Sequence, residues 1–147
     1  LTFYWAGDGP YTQKIVKELE EYENFKWLGR LQYPEEVSKF LSSIDVYALI
    51  SGMDLAPLTL KEAQLMEKPV IATNVGGIYE MMEDKVTGFL IKENDPKDLI
   101  EKLTILFDDE KLREKMGING KQFVIKKFNW DIIAKKFIEN IKPYIKN

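Results

Sequence analysis

Asp54 and Glu62 are separated by seven residues, Pro57 among them, a spacing that could grip a phosphorylated ligand. Proline suits the first helical position, because its fixed φ is already helical and its missing N–H is not needed there. A helix opening at Pro57 leaves the N–H groups of Leu58 and Thr59 unpaired, at the positive end of the helix dipole. Such a terminus takes an anion, and a diphosphate is the commonest one that needs it. Glu62 lies five residues further along, roughly 7.5 Å of helical rise. Helical side chains lean toward the N-terminus, so its carboxylate can turn back and accept two hydrogen bonds from vicinal hydroxyls such as those of a ribose. Asp54 would then stand across the phosphates, within reach of the hydroxyls of an attached sugar. The plainer alternative makes Asp54 a loop residue that caps the helix and Glu62, beside Lys61, part of a solvated face. Singly, each acid fits the plainer role; the segment that follows them shifts the balance.

These residues need a scaffold, and the sequence supplies an alternating one. Short, turn-bounded apolar runs at Leu1 to Gly7, Phe25 to Gly29, Val46 to Ser51, Val70 to Asn74 and Gly88 to Ile91 read as buried strands. Helical patterns separate them: Pro10 to Tyr22, Pro34 to Ile44, Pro57 to Glu67, and a short one from Gly77 to Glu83. Alternation of this kind predicts an α/β fold, a Rossmann-like parallel sheet of about five strands with flanking helices. From Asp95 onward the pattern is an all-helical C-terminal tail: Pro96 to Phe107, Glu110 to Phe128 with a break around Gly117 to Gly120, and Trp130 to Ile145. No repeat, low-complexity run or linker interrupts residues 1–147, which read as a single domain. In open parallel sheets ligands gather at the carboxyl ends of strands. Three loops lie there: GDGP with Gly7 and Gly9, LGRLQ with Arg30 and Leu31, and SGMDLAP with Asp54. GDGP alone is weak evidence, since tight turns of that composition are common. Gly76 and Gly77 imply a positive φ or a close backbone approach, either architectural or in contact with a ligand.

Composition excludes several classes. At 147 residues and 45% hydrophobic content the chain suits one core of real size. A net charge of −3 gives no general attraction to nucleic acid. With no cysteine and no histidine there are no disulfides, no thiolate chemistry and no imidazole base or ligand. Acid–base work falls to carboxylates, lysines or the substrate. No apolar run approaches the roughly 18 residues of a spanning helix, and no signal-peptide pattern opens the chain. The expected location is cytoplasmic, with surface contact at the cytoplasmic membrane face left open.

The order acidic residue, seven residues, acidic residue, strand, paired glycines resembles the donor-binding signature of retaining glycosyltransferases of the group 1 family, in the C-terminal half of the two-Rossmann GT-B architecture. Here it reads Asp54, Leu55 to Lys61, Glu62, then KPVIAT (Lys68 to Thr73), Gly76, Gly77, Glu80 and TGFLI (Thr87 to Ile91). Upstream, WAGDGP (Trp5 to Pro10), FKWLGR (Phe25 to Arg30), PEEV (Pro34 to Val37) and DVYALIS (Asp45 to Ser51) are similar to family elements in order; downstream, DPKDLIEKL and FNWDIIAKKF are similar to its last helices. The resemblance thus spans essentially the whole chain.

It implies glycosyl transfer from a nucleoside-diphosphate sugar to an acceptor with retention at the anomeric carbon. Asp54 would orient the donor sugar and Glu62 would hold the ribose. The loop and helix start formed by Leu55, Ala56, Pro57, Leu58 and Thr59 would carry the donor, and Arg30 and Leu31 would meet the nucleobase. No cofactor and no metal are implied, since no Asp-x-Asp pair is present to hold a metal on a diphosphate. The partners implied are the nucleotide-sugar donor and a sugar or lipid-linked acceptor seated on another half, with no nucleic acid. Two departures stand out. The family's acidic-Gly-Phe-Gly opening is here Asp54, Leu55, Ala56 and Pro57, and Asp for Glu shortens the reach by one methylene. The family's first strand–helix unit, with an arginine and a lysine that clamp phosphate, has no counterpart. In a 3-2-1-4-5-6 order that strand would lie centrally, between those at Leu1 to Gly7 and Val46 to Ser51. The chain, starting at Leu1 without Met, is thus expected to be a domain of a longer protein. Alternatives are a nucleotide-sugar epimerase or phosphorylase of the same architecture, or a flavodoxin-like signalling domain using Asp8. A dinucleotide oxidoreductase lacks its G-x-G-x-x-G.

Overall fold

A computed structural model describes residues 1–145, which fall into two compact units, one of residues 1–40 and one from residue 41 onward. In the first, β1 (Phe3–Ala6) and β2 (Phe25–Gly29) form a two-stranded parallel ladder connected through α1 (Thr12–Leu19). Phe3 pairs with Phe25 and Trp5 with Trp27; the register then slips, so that Ala6 pairs with Gly29. The slip carries the end of β1 into its loop, where the Gly7 N–H donates to the Gly29 carbonyl at 2.8 Å. Trp5 also packs its ring on Phe25, 6.5 Å between centroids. Helix α2 (Glu35–Ser43) follows β2.

The second unit holds β3 (Tyr47–Leu49), α3 (Leu58–Leu65), β4 (Val70–Thr73) and β5 (Gly88–Ile91), with a parallel sheet ordered β3-β4-β5. Central β4 is buried along all four residues, as a parallel strand covered on both faces should be. Ile71, Phe89, Ile91, Leu106 and Met116 form the core beneath α4 (Pro96–Asp108) and α5 (Glu110–Lys127). Asp95 and Asp109 cap these two helices through the N–H groups of Asp98 and Leu112.

All five expected strands are present, in two ladders rather than one sheet. Several helix limits also differ from the sequence reading; α1, for one, is Thr12–Leu19 against an expected Pro10 to Tyr22. Helix α3 begins at Leu58, so Pro57 is its N-cap, with an extended ψ of 120°, rather than its first residue. The turn expected from Gly77 to Glu83 is helical only over Ile78–Glu80, as a 3-10 turn. Helix α5 runs unbroken through Gly117 and Gly120. There, a Cβ on Gly117 would collide with the Glu67 carbonyl, and one on Gly120 would crowd the Gln64 side chain. Glycine is there for close helix packing, not to end the helix. The last helix, α6 (Trp130–Ile141), stops where Pro143 enters a 3-10 turn over Lys142–Tyr144. Among the described residues no helix is long and apolar enough to cross a membrane.

Candidate functional site

In the second unit the loop from Ser51 to Pro57 is tied down along its length. The buried Thr73 hydroxyl, at the end of β4, accepts from the Ser51 N–H at 3.0 Å and donates to the Ser51 carbonyl at 2.6 Å. Ser51 Oγ donates to the Met53 carbonyl at 2.9 Å, and the Gly77 N–H donates to the Asp54 carbonyl at 2.9 Å. The paired glycines complete the clamp. Gly76 has φ +55°, and a Cβ there would collide with the Asp54 carbonyl oxygen; one on Gly77 would collide with that of Leu55. Their part is therefore architectural: they let the turn after β4 press against the backbone that carries Asp54.

Helix α3 starts beside this loop. Among the described residues no side chain caps it, so its leading amides, those of Leu58 and Thr59 among them, have no intrahelical partner. Pro57 and Leu60 are buried, Leu58 and Thr59 exposed, and Asp54 and Glu62 half-buried. Leu55 and Ala56 are exposed on the loop. The neighbouring cation, Lys61, turns to the face of Phe128, 4.9 Å from the ring centroid.

Tyr47, on β3, links these parts. Its hydroxyl shares a hydrogen bond with Thr59 Oγ1 at 2.8 Å. Burial pushes the phenol above its usual 10.0, the bond to Thr59 offsets part of that rise, and the charges of Glu62 and Asp54 add to it. The sign for stability follows. A folded phenol with a raised pKa keeps its proton where the unfolded one loses it, so this contribution is whole below pH 10 and fades as pH climbs through the folded value. Ultraviolet difference titration of the wild type against Tyr47→Phe should place the missing transition above pH 10.0. A midpoint at or below that of free tyrosine would contradict the burial.

The first unit holds the other predicted positions. Asp8, Gly9, Pro10 and Arg30 line an open cleft of about 560 Å³. Arg30 is exposed and Leu31 half-buried. Gly7, at φ +135°, gives its carbonyl to Trp27 Nε1 at 3.0 Å. The Gly9 N–H is taken within its own turn, by Asp8 Oδ1 at 2.8 Å and Thr12 Oγ1 at 2.7 Å. The Gly9 carbonyl is engaged in the same turn, accepting from the Thr12 N–H at 3.1 Å. Each unit thus gathers its own set: Gly9 with Arg30 in the first, Asp54 and Glu62 with the start of α3 in the second. Sequence reasoning missed Thr73 and Tyr47. The only trace of either was a hydroxyl inside an otherwise apolar strand.

Comparison with known proteins adds an independent line. The family model "Glycosyl transferases group 1" matches residues 2–123. An uncharacterized glycosyltransferase of Methanocaldococcus jannaschii is 35% identical over 137 residues, covering 89% of this chain and 37% of its own. A trehalose synthase of Thermococcus litoralis is 34% identical over 120 residues, covering 80% and 29%. The chain therefore spans about a third of the length of these relatives. Among solved structures, Anabaena HepE in complex with UDP-glucose superposes with a TM-score of 0.84 at 21% identity, over 97% of this chain and 41% of that one. Staphylococcus aureus TarM, in a complex containing UDP, superposes at 0.83 with 23% identity, over 95% and 28%. At those identities the superpositions speak for the fold.

Proposed function

Because this chain belongs to the group 1 glycosyl transferases, we propose that it is the donor-binding half of an enzyme that moves a glycosyl unit from a nucleoside-diphosphate sugar to an acceptor with retention of anomeric configuration. The observation that supports the reading is the uncapped start of α3 lying between Asp54 and Glu62 in the sequence, both acids half-buried. HepE was solved with UDP-glucose, and TarM in a complex with UDP, on the same fold. That supports a nucleotide-sugar donor here.

The chemistry follows from charge. In the transition state the sugar approaches an oxocarbenium ion and negative charge gathers on the departing diphosphate, so fixed donors aimed at that oxygen lower the barrier most. The amides of Leu58 and Thr59 serve this role. Glu62 accepts from the ribose hydroxyls, and Asp54 from hydroxyls of the donor sugar, reaching one methylene less far than a glutamate would. Arg30 and Leu31 flank the nucleobase. Phosphate charge is assigned to these amides and to cations of the remaining protein. The acceptor, a sugar or a lipid-linked one, is assigned to that remainder as well.

Asp54→Asn in the full-length protein separates the two acids. Affinity for the sugar-bearing donor should fall by about 1–2 kcal/mol while affinity for the bare nucleoside diphosphate barely moves, since only the former has a partner for the carboxylate. Calorimetric titration with both ligands decides. Equal losses would reduce Asp54 to a residue that shapes the loop.

A further inference from the structure

Resting on the donor-binding reading above, we propose that Gln64 is a positioning residue: its buried side-chain amide fixes α3, which carries Glu62, to the turn that presses on the Asp54 loop, and so sets the spacing between the two acids.

Gln64 is wholly buried on α3, two residues after Glu62. Its Nε2 donates to the Met81 carbonyl at 2.9 Å and to the Leu60 carbonyl at 3.2 Å. Two carbonyls around one end of the amide settle which end is nitrogen, since an oxygen there would face only acceptors. Both amide protons are thereby spent, one on the residue's own helix and one on a different segment. At the other end Oε1 is buried with no partner among the described residues. It faces Gly120 on α5, where an added Cβ would stand 3.5 Å from it. A buried acceptor left unpaired is unfavourable, and methionine, of like length, would fill the same space without one. What the amide supplies and methionine lacks is the bond to Met81.

That bond reaches the site through short, hydrogen-bonded steps. Met81 closes the 3-10 turn over Ile78–Glu80: its N–H bonds the Ile78 carbonyl at 2.8 Å, and the Glu80 N–H bonds the Gly77 carbonyl at 3.1 Å. Ile78 within the turn is fully buried, which anchors it as one piece. At its near end the Gly77 N–H holds the Asp54 carbonyl at 2.9 Å. Asp54 is thus tied to one end of this turn and Gln64 to the other. Two residues on a helix turn Gln64 about 200° away from Glu62, so Gln64 meets no ligand itself and acts through the helix. In this unit a bare nucleoside diphosphate meets α3 alone, at its leading amides and Glu62. A sugar-bearing donor meets α3 and Asp54 at once, so it alone measures the spacing.

The test uses the full-length protein, titrated calorimetrically with UDP, GDP, ADP, CDP and dTDP, each bare and as its glucose, mannose and N-acetylglucosamine conjugates. Chemical denaturation confirms that each variant is folded. Gln64→Met should weaken the best sugar-bearing donor roughly tenfold, the scale of one hydrogen bond to a charged group, while the bare diphosphate stays within about twofold of wild type. In an Asp54→Asn background the same substitution should cost almost nothing further, because Gln64 acts through Asp54. Gly120→Ala, whose Cβ would stand 3.1 Å from Gln64 Cγ, displaces the same side chain from α5 and should give the same split; it decides if Gln64→Met does not fold. Equal weakening of bare and sugar-bearing ligands would make Gln64 a core residue only. That result, wild-type binding of both, or a loss that adds to that of Asp54→Asn would overturn the proposal, while a weakened Glu62→Gln control kept the donor reading intact. If no bare diphosphate or none of the conjugates bound, or if Glu62→Gln bound the diphosphate as well as wild type, the donor reading would fall and the role of Gln64 with it.

Discussion

Glu62→Gln in the full-length protein is expected to weaken nucleoside-diphosphate binding by about 1–3 kcal/mol, the range for losing a hydrogen bond to a charged acceptor. The substitution keeps the side chain's length and shape and removes its charge, so α3 should stay in place. A carboxylate can receive from both hydroxyls of a ribose at once, whereas an amide offers one accepting oxygen and a nitrogen that clashes with a second donor. The loss should therefore depend on the sugar of the nucleoside. A 2′-deoxynucleoside diphosphate, already missing one of the two donors, should bind the wild type less tightly and lose little more on substitution. Such coupling between residue and ligand group is what a double-mutant cycle reads. Unchanged affinity for the ribonucleoside diphosphate would remove Glu62 from the site. An equal loss with the deoxy ligand would leave it a general electrostatic role but no grip on the 2′-hydroxyl.

That Glu62 could be singled out at all reflects what local sequence carries. The acid–proline–acid order is written within nine consecutive residues, and the helix start it implies is a local event, displaced by one position because proline also tolerates the extended ψ of an N-cap. The strands were legible for the same reason, as apolar runs bounded by turns. What was illegible depends on contacts between distant residues. The Tyr47–Thr59 bond joins positions 12 apart, strand to helix, and the Thr73–Ser51 clamp joins positions 22 apart, from the end of β4 to the loop after β3; no local pattern displays either pairing. The continuity of α5 was hidden likewise, because a glycine that breaks a helix and one that lets Glu67 approach are the same letter. Division of the strands into two ladders is a property of which neighbours a strand finds, not of the strand. The paired glycines were ambiguous between turn and ligand contact until the carbonyls of Asp54 and Leu55 were seen against them.

Those glycines give the sharpest expectation for the loop itself. Gly76→Ala places a Cβ where the Asp54 carbonyl oxygen sits, at a φ of +55°. Left-handed backbone costs a residue with a Cβ about 1–2 kcal/mol, and overpacking adds roughly 1–3 kcal/mol more unless something moves. The Asp54 loop is the part able to move, being exposed at Met53, Leu55 and Ala56, whereas the turn is anchored by buried β4 and Ile78. Relief of the collision should pull the Asp54 carbonyl from the Gly77 N–H, 2.9 Å away in the native fold, and carry the carboxylate with it. The expected outcome is a folded protein, destabilised by about 2 kcal/mol in chemical denaturation, whose sugar-bearing donor binds at least tenfold more weakly while the bare diphosphate is less affected. Gly77→Ala offers the contrast, since its φ of −99° carries no such strain and its Cβ meets Leu55 instead. It should disturb the phosphate end of the loop more than the sugar end, weakening diphosphate and sugar donor together. If Gly76→Ala bound both ligands as the wild type does, at native stability, the turn would have no hold on Asp54, and the acid would owe its placement to β3 and Thr73 alone.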